Sequence, residues 1–116
     1  MPEAFLYLTT RGRVSNLPRQ IEIWFVELDG KHYIVAEHRE AAGWVKNLMA
    51  FPSVTFSVGP REAPASVVPA TPATARPLDR ALFPELSAAV AALMDAKYNW
   101  SDGLIVELAP SRLERP

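Results

Sequence analysis

Strand-length apolar runs open the chain. Ala4-Phe5-Leu6-Tyr7-Leu8 and Ile21-Glu22-Ile23-Trp24-Phe25-Val26 are both rich in the aromatic and branched residues that suit a pleated surface. Asp29-Gly30 separates Ile21–Leu28 from Lys31–Glu37, and this dipeptide between apolar runs is the strongest short-range hairpin signal. Along Ile21–Leu28 the side chains of Ile21, Ile23 and Phe25 point one way, and those of Trp24, Val26 and Leu28 point the other. Both faces are apolar, so one of them meets something besides the core. In so short a chain this suggests a barrel wall covered outside by a helix, a bound ring system or a second subunit.

Further along, Ala41, Val45, Leu48 and Met49 recur at helical spacing with Trp44 on the flank, which predicts a short helix ending before Pro52. Ser53–Val58 alternates as a strand with Val54, Phe56 and Val58 on one side, and Gly59-Pro60 ends it. Ala63–Pro69 reads at most as an irregular edge, because Pro60, Pro64, Pro69, Pro72 and Pro77 remove ladder donors. The Pro/Ala stretch 60–77 is therefore expected to be a connector. Leu82, Leu86, Ala89, Val90, Leu93 and Met94 form a stripe that predicts a helix from about Pro84 to Lys97, and Leu104–Leu108 follows as a strand. This order describes a mainly β protein with short helices (α+β), a small antiparallel barrel forming a single domain over residues 1–116. A doubly wound fold is disfavoured, since neither a G-x-G-x-x-G turn nor a P-loop occurs.

Composition narrows the chemistry. A formal charge of -1 argues against a general nucleic-acid binder, which carries a large basic excess. With no cysteine, disulfides, thiolate nucleophiles and cysteine metal sites are excluded. Met1-Pro2-Glu3 leads into a short apolar run that Arg11 ends, which resembles neither a signal peptide nor a membrane span, so a soluble cytoplasmic protein is expected.

The one dense polar feature is Thr9-Thr10-Arg11-Gly12-Arg13-Val14-Ser15-Asn16-Leu17-Pro18-Arg19, with three arginines and three hydroxyls between two predicted strands. Guanidinium forks, hydroxyls and loop amides suit a phosphate or carboxylate. A solvated turn whose arginines keep a sheet edge soluble has the same spacing. Acid–base machinery is sparse. His32 and His38 are too separated in role to form a metal pair, Glu22 and Glu27 face opposite sides of their strand, and no serine sits in a G-x-S-x-G elbow. An anion clamp beside Trp24, Trp44, Trp100, Tyr98 and Tyr33 fits a flat, phosphorylated cofactor that carries the reaction itself. Ordinary core packing accounts equally well for the aromatics one by one.

The stretch Leu8–Arg19, the Asp29-Gly30 hairpin, Tyr33-Ile34-Val35-Ala36, Trp44-Val45-Lys46-Asn47-Leu48 and Pro52-Ser53-Val54 occur in an order that resembles the deazaflavin-dependent nitroreductase/quinone reductase group. That group belongs to the split β-barrel flavin-binding superfamily of pyridoxamine-phosphate oxidases. The resemblance implies a homodimer of split barrels and an oxidoreductase using a deazaflavin coenzyme, with FMN as the alternative. The reduced coenzyme would pass hydride to a small conjugated acceptor such as a quinone, enone or nitroaromatic. It places Arg13, Ser15 and Arg19 on the phosphate-bearing tail, Ala36, Glu37 and His38 beside the ring, and Trp44, Asn47 and Leu48 in packing and backbone contacts. Tyr98 would line the substrate side as a weak proton donor. Val14 and Asn16 stand where many relatives carry lysine and glycine, and the link from Ala36 to Trp44 is shorter than is common. The rival expectations are a non-catalytic module for a flavin, a tetrapyrrole or another anion, and a structural dimer without cofactor.

Overall fold

Asp29 and Gly30 both take positive φ, 55° and 79°, as the two central positions of a type I′ turn require. They join β3 (Val26–Leu28) to β4 (Lys31–Ala36), the predicted hairpin. The computed structural model describes residues 4–60 and 70–111. The other strands are β1 (Ala4–Arg11), β2 (Pro18–Ile23), β5 (Ser53–Pro60), β6 (Thr71–Pro77) and β7 (Leu104–Pro110). Two helices, α1 (Gly43–Ala50) and α2 (Pro84–Tyr98), complete the fold, with a 3-10 turn at Arg39–Ala41.

Among the described residues, seven strands form one antiparallel sheet in the order β2-β1-β5-β6-β7-β4-β3. The two edge strands, β2 and β3, are consecutive in the chain and only Trp24 and Phe25 lie between them. The sheet must therefore curl until its edges nearly meet, as a half-open barrel. The expected single strand Ile21–Leu28 is corrected accordingly. It breaks at Trp24-Phe25 because its two halves pair with different neighbours, β1 on one side and β4 on the other. The face assignment stands, with Ile21, Ile23 and Phe25 packed on the barrel interior and Val26 and Leu28 on the outer cluster.

The connector expected over 60–77 is also corrected. Its last third is β6, which pairs on both sides in the middle of the sheet. Ala73 and Ala75 point into the core, while Pro72 and Pro77 occupy the strand's ends, where a missing amide costs least. The edge expected over Ala63–Pro69 lies outside the described residues.

The interior cluster holds Leu6, Leu8, Phe25, Ile34, Val54, Phe56, Val106 and Leu108, and Leu48 of α1 packs into it. Helix α1 stops where Pro52 forces Phe51 into an extended conformation. On the outer face, α2 covers Val26, Tyr33, Val35 and Ile105 with Val90 and Met94. Pro84 begins that helix and Asn99, in the left-handed conformation, ends it. Its buried face is Ser87, Val90 and Met94; Leu82 precedes the helix in solvent and Leu93 is partly exposed. So many alanines surround the stripe that spacing alone misplaced its centre.

Buried Glu107 and partly buried His32 interrupt this packing. Glu107, on the outer face of β7, accepts hydrogen bonds from the Tyr33 hydroxyl at 3.0 Å and from Arg76 Nε at 2.8 Å, with Lys31 Nζ 3.8 Å away. Burial acts to raise the Glu107 carboxyl, but the Arg76 and Tyr33 hydrogen bonds and the Arg76 and Lys31 charges outweigh it and hold the group below its ordinary value. Burial, then the hydrogen bond to Glu107, pushes the Tyr33 hydroxyl up to about 12. His32 lies between the Phe25 and Phe56 rings, at centroid distances of 5.6 and 4.7 Å. Its Nδ1 is buried with no hydrogen-bond partner and its Nε2 is 3.5 Å from the Glu27 carboxylate. Burial lowers its pKa against the opposing pull of Glu27.

Both shifts weaken the fold in acid. The unfolded chain protonates His32 at an ordinary 6.5 and the folded chain only lower, so stability falls as pH drops through that interval. Glu107 is held ionised, so its contribution is complete above an ordinary 4.5 and is lost as pH falls through its lower folded value. Calorimetry should show Tm declining first below 6.5 and again below 4.5. His32→Gln should abolish the first decline and leave the second; a first decline that survives would assign it to another group.

Candidate functional site

Residues 12–17 connect β1 to β2 and fold on themselves. The Gly12 N–H donates to the Leu17 carbonyl at 2.8 Å, the Asn16 N–H donates to the Gly12 carbonyl at 2.8 Å, and the Leu17 N–H donates to Ser15 Oγ at 3.1 Å. Asn16 takes the left-handed conformation at φ 64°, which asparagine tolerates. A Cβ at position 12 would stand 2.7 Å from Ser15 Oγ and 3.0 Å from the Leu17 carbonyl, so only glycine lets the turn close this tightly.

Three arginines leave this region in different ways. Arg11 donates to Asn16 Oδ1 at 3.0 Å and covers the Phe51 ring at 4.2 Å, so it serves the loop itself. Arg13 is anchored at its base. Buried Asn47 of α1 accepts from the Arg13 backbone N–H at 3.2 Å and from the guanidinium at 2.8 Å, while its Nδ2 donates to Thr10 Oγ1 at 3.2 Å. The Gly43 carbonyl takes a further guanidinium bond at 3.3 Å. Arg19 stands exposed on β2 opposite Thr10 and makes no ion pair among the described residues. Arg13, Ser15, Arg19 and Asn47 together line a recess of about 430 Å³ whose floor includes Trp44.

A second depression, of about 670 Å³, opens where the barrel fails to close. Ile23 and Trp24 form one side, Ala36, Glu37 and His38 at the end of β4 another, and Trp44, Met94 and Trp100 complete the wall. Trp44 lines both hollows, so they share a wall. Their charges differ in sign. Among the described residues, the recess carries Arg13 and Arg19 and no acid, and the cavity carries Glu22 and Glu37 and no lysine or arginine. Glu22 is oriented by the Tyr7 hydroxyl, which donates to it at 2.8 Å.

The fold thus gathers the sequence-predicted residues into two groups, Arg13, Ser15, Arg19 and Asn47 in the recess, and Ala36, Glu37 and His38 in the cavity, with Trp44 between. Asn47 does more than pack, because its amide ties the loop to α1. Tyr98 belongs to neither group. Its ring stacks on Trp24 at 4.4 Å and 2°, and its hydroxyl donates to the Phe25 carbonyl at 3.1 Å and accepts from the Phe25 N–H at 3.2 Å. Trp24 and Trp100, expected among the aromatics suited to a flat cofactor, line the cavity, and so do Glu22 and Ile23, for which the sequence raised no such expectation. The signal was present in the doubly apolar face pattern of 21–28, which marked one wall as needing a cover. An anionic tail beside Arg13 and Arg19 and a flat ring among the tryptophans suit these residues, so a deazaflavin or flavin nucleotide fits the pair of hollows.

Asn47→Ala leaves the buried Thr10 hydroxyl and the Arg13 N–H without their partner. Denaturant unfolding should show a loss of about 1–3 kcal/mol, and Thr10→Val in the same background should recover part of it.

The model of the F420H(2)-dependent quinone reductase family matches residues 1–103 of the chain. No curated protein matches it significantly. Among solved structures, the heme storage protein HutZ from Vibrio cholerae superposes with a TM-score of 0.72 at 20% identity, covering 94% of this chain and 82% of that one. A Listeria innocua protein named for pyridoxamine 5'-phosphate oxidase gives 0.66 at 10% identity, covering 93% and 84%. An F420 reductase gives 0.60 at 17% identity, covering 93% and 86%. At these identities the neighbours establish the fold alone, a split barrel, and the family match decides for the deazaflavin over FMN. The chain belongs to the F420H(2)-dependent quinone reductase family and is a deazaflavin-dependent oxidoreductase.

Proposed function

We propose that the protein reduces a small conjugated acceptor, such as a quinone, enone or nitroaromatic, with the coenzyme's tail in the arginine recess and its ring in the tryptophan cavity. The bound deazaflavin supplies hydride. The protein supplies placement. Arg13 and Arg19 attract the anionic tail, with Ser15 as a further hydroxyl partner, and the Asn47 bonds hold Arg13 before any ligand arrives, so little ordering is lost on binding. Ala36 ends β4 with a small side chain against which a ring plane can lie, and Glu37 and His38 stand at the rim. The apolar walls from Ile23, Trp24, Trp44 and Trp100 exclude water from the transfer. Since the Tyr98 hydroxyl is committed to the Phe25 backbone, the proton that follows hydride comes from solvent or from the rim.

The observation that carries this reading is the pair of hollows sharing Trp44, one lined by Arg13 and Arg19 and suited to an anion, the other walled by Trp24, Trp44 and Trp100 and suited to a flat ring. Trp24 is 40% exposed at the open side of the cavity, which supports a homodimer in which a second copy covers the seam. The same reading places the protein in the cytoplasm. Among the described residues no helix is long and apolar enough to cross a membrane.

Fluorescence titration with deazaflavin coenzyme, and in parallel with FMN, at two salt concentrations tests the site. Deazaflavin binding should saturate and weaken with salt. Arg13→Ala should weaken it by about 1.5–3 kcal/mol, as for one charged hydrogen bond, while Arg19→Ala should flatten the salt dependence. Unchanged affinity in Arg13→Ala would remove that residue from the tail, and bound coenzyme that reduces no acceptor would make the protein a binding module.

A further inference from the structure

Trp100 reaches the larger cavity from the loop 99–103, which leaves α2 and enters β7. A loop is the part of a wall most free to move, yet this one is fastened at several places. Gly103 lies so close to the end of β4 that a Cβ there would stand 2.5 Å from the Ala36 carbonyl oxygen and 2.7 Å from Val35 Cγ1. Asp102 pairs with Arg39 of the 3-10 turn at 2.9 Å. Arg80, on the turn before α2, donates from one nitrogen to two carbonyls, Ser101 at 3.0 Å and Gly103 at 2.9 Å. One guanidinium thus joins the stretch that enters α2 to the stretch that leaves it.

These ties are unequal. The Arg39–Asp102 pair stands in solvent, its side chains 53% and 86% exposed, where water and salt screen the attraction. Gly103 permits a close approach but exerts no pull. Arg80 makes charged hydrogen bonds, and the one to Gly103 is partly buried. Its own backbone is set on both sides. Before it, buried Leu78 donates its N–H to the Ile105 carbonyl at 2.8 Å. After it, the Ala81 N–H donates to Asp79 Oδ1 at 2.8 Å and the Phe83 N–H to the Asp79 carbonyl at 2.9 Å. The guanidinium therefore draws Gly103 against Ala36 from a fixed point, and Trp100, three residues earlier in the chain, is placed with it.

We infer that Arg80 is a positioning residue for the coenzyme ring: it sets where Trp100 and the Ala36 wall stand without lining the cavity itself. The inference rests on the ring occupying that cavity.

In Trp24→Phe/Trp44→Phe protein free of coenzyme, Trp100 is the sole tryptophan. Arg80→Ala in that background should red-shift its emission and increase its fast depolarisation. Arg80→Lys, whose ammonium can still donate to both carbonyls, should restore most of both signals. With the other tryptophans intact, Arg80→Ala should raise the deazaflavin Kd roughly fivefold, and Arg80→Lys should recover most of it. The salt dependence of binding should stay as in wild type, because Arg13 and Arg19 still hold the tail. Asp102→Asn should change Kd by no more than about twofold. An Arg80→Ala protein with unchanged Trp100 signals, or with loosened Trp100 and unchanged Kd, would overturn the inference. A flattened salt dependence would make Arg80 a long-range attractor of the tail instead, and an equal loss in Asp102→Asn would hand the role to the ion pair. Should Arg80→Ala fail to fold, Arg80→Gln is read in its place against the same outcomes. Wild-type protein that binds no deazaflavin would sink the proposed function, while the Trp100 signals would still decide whether Arg80 fixes the wall.

Discussion

Trp24 and Phe25 join the two outermost strands of a seven-stranded sheet, and the three steps from Ile23 to Val26 reach only about 10 Å. The edges are therefore forced together, and the sheet has to roll. Rolling puts Ile21, Ile23 and Phe25 inside with Leu6, Ile34 and Leu108, and turns Val26, Val35 and Ile105 outward under α2. It also leaves a gap, because a strand that has just left β1 for β4 pairs with neither at the crossing. The larger cavity lies at that gap, lined by the crossing residue Trp24 and by the end of β4.

Much of this was readable in the residues. Asp29-Gly30 specified its turn through backbone preference alone, and β5, α1 and β7 carried periodicities that tertiary packing had no reason to override. Two elements resisted for opposite causes. In 21–28 the apolar pattern runs on without a break, since the change of partner at Trp24 leaves no mark on hydrophobicity. In 71–77 the strand was masked by prolines, whose cost is set by where the ladder ends, and that is a property of β5 and β7. Glu107 was a lone acid in an apolar run; its partners Tyr33 and Arg76 lie on β4 and β6, so its meaning depended on the strand order.

The site was legible as chemistry before it was legible as a place. Arginines and hydroxyls at 9–19 announced an anion, but not that Arg11 would serve the loop, nor that Asn47 on a distant helix would hold Arg13. Family resemblance supplied Ala36, Glu37 and His38, which composition could not single out. What the structure adds is the shared wall at Trp44, with Arg13 and Arg19 lining the hollow on one side and Trp24 and Trp100 lining the hollow on the other.

The strand order also bears on how the molecule assembles. β1 and β2 pair as near neighbours in the chain, as do β3 and β4, yet Ala36 finds its sheet partner only at Leu104, beyond both helices. Such long-range pairing pays its loop-closure cost late and slows folding. Until β7 docks between β6 and β4, the end of β4 has no fixed position and the wall it contributes does not exist. During synthesis the arginine loop can form early, on local hydrogen bonds, while the ring cavity is among the last parts of the protein to take shape.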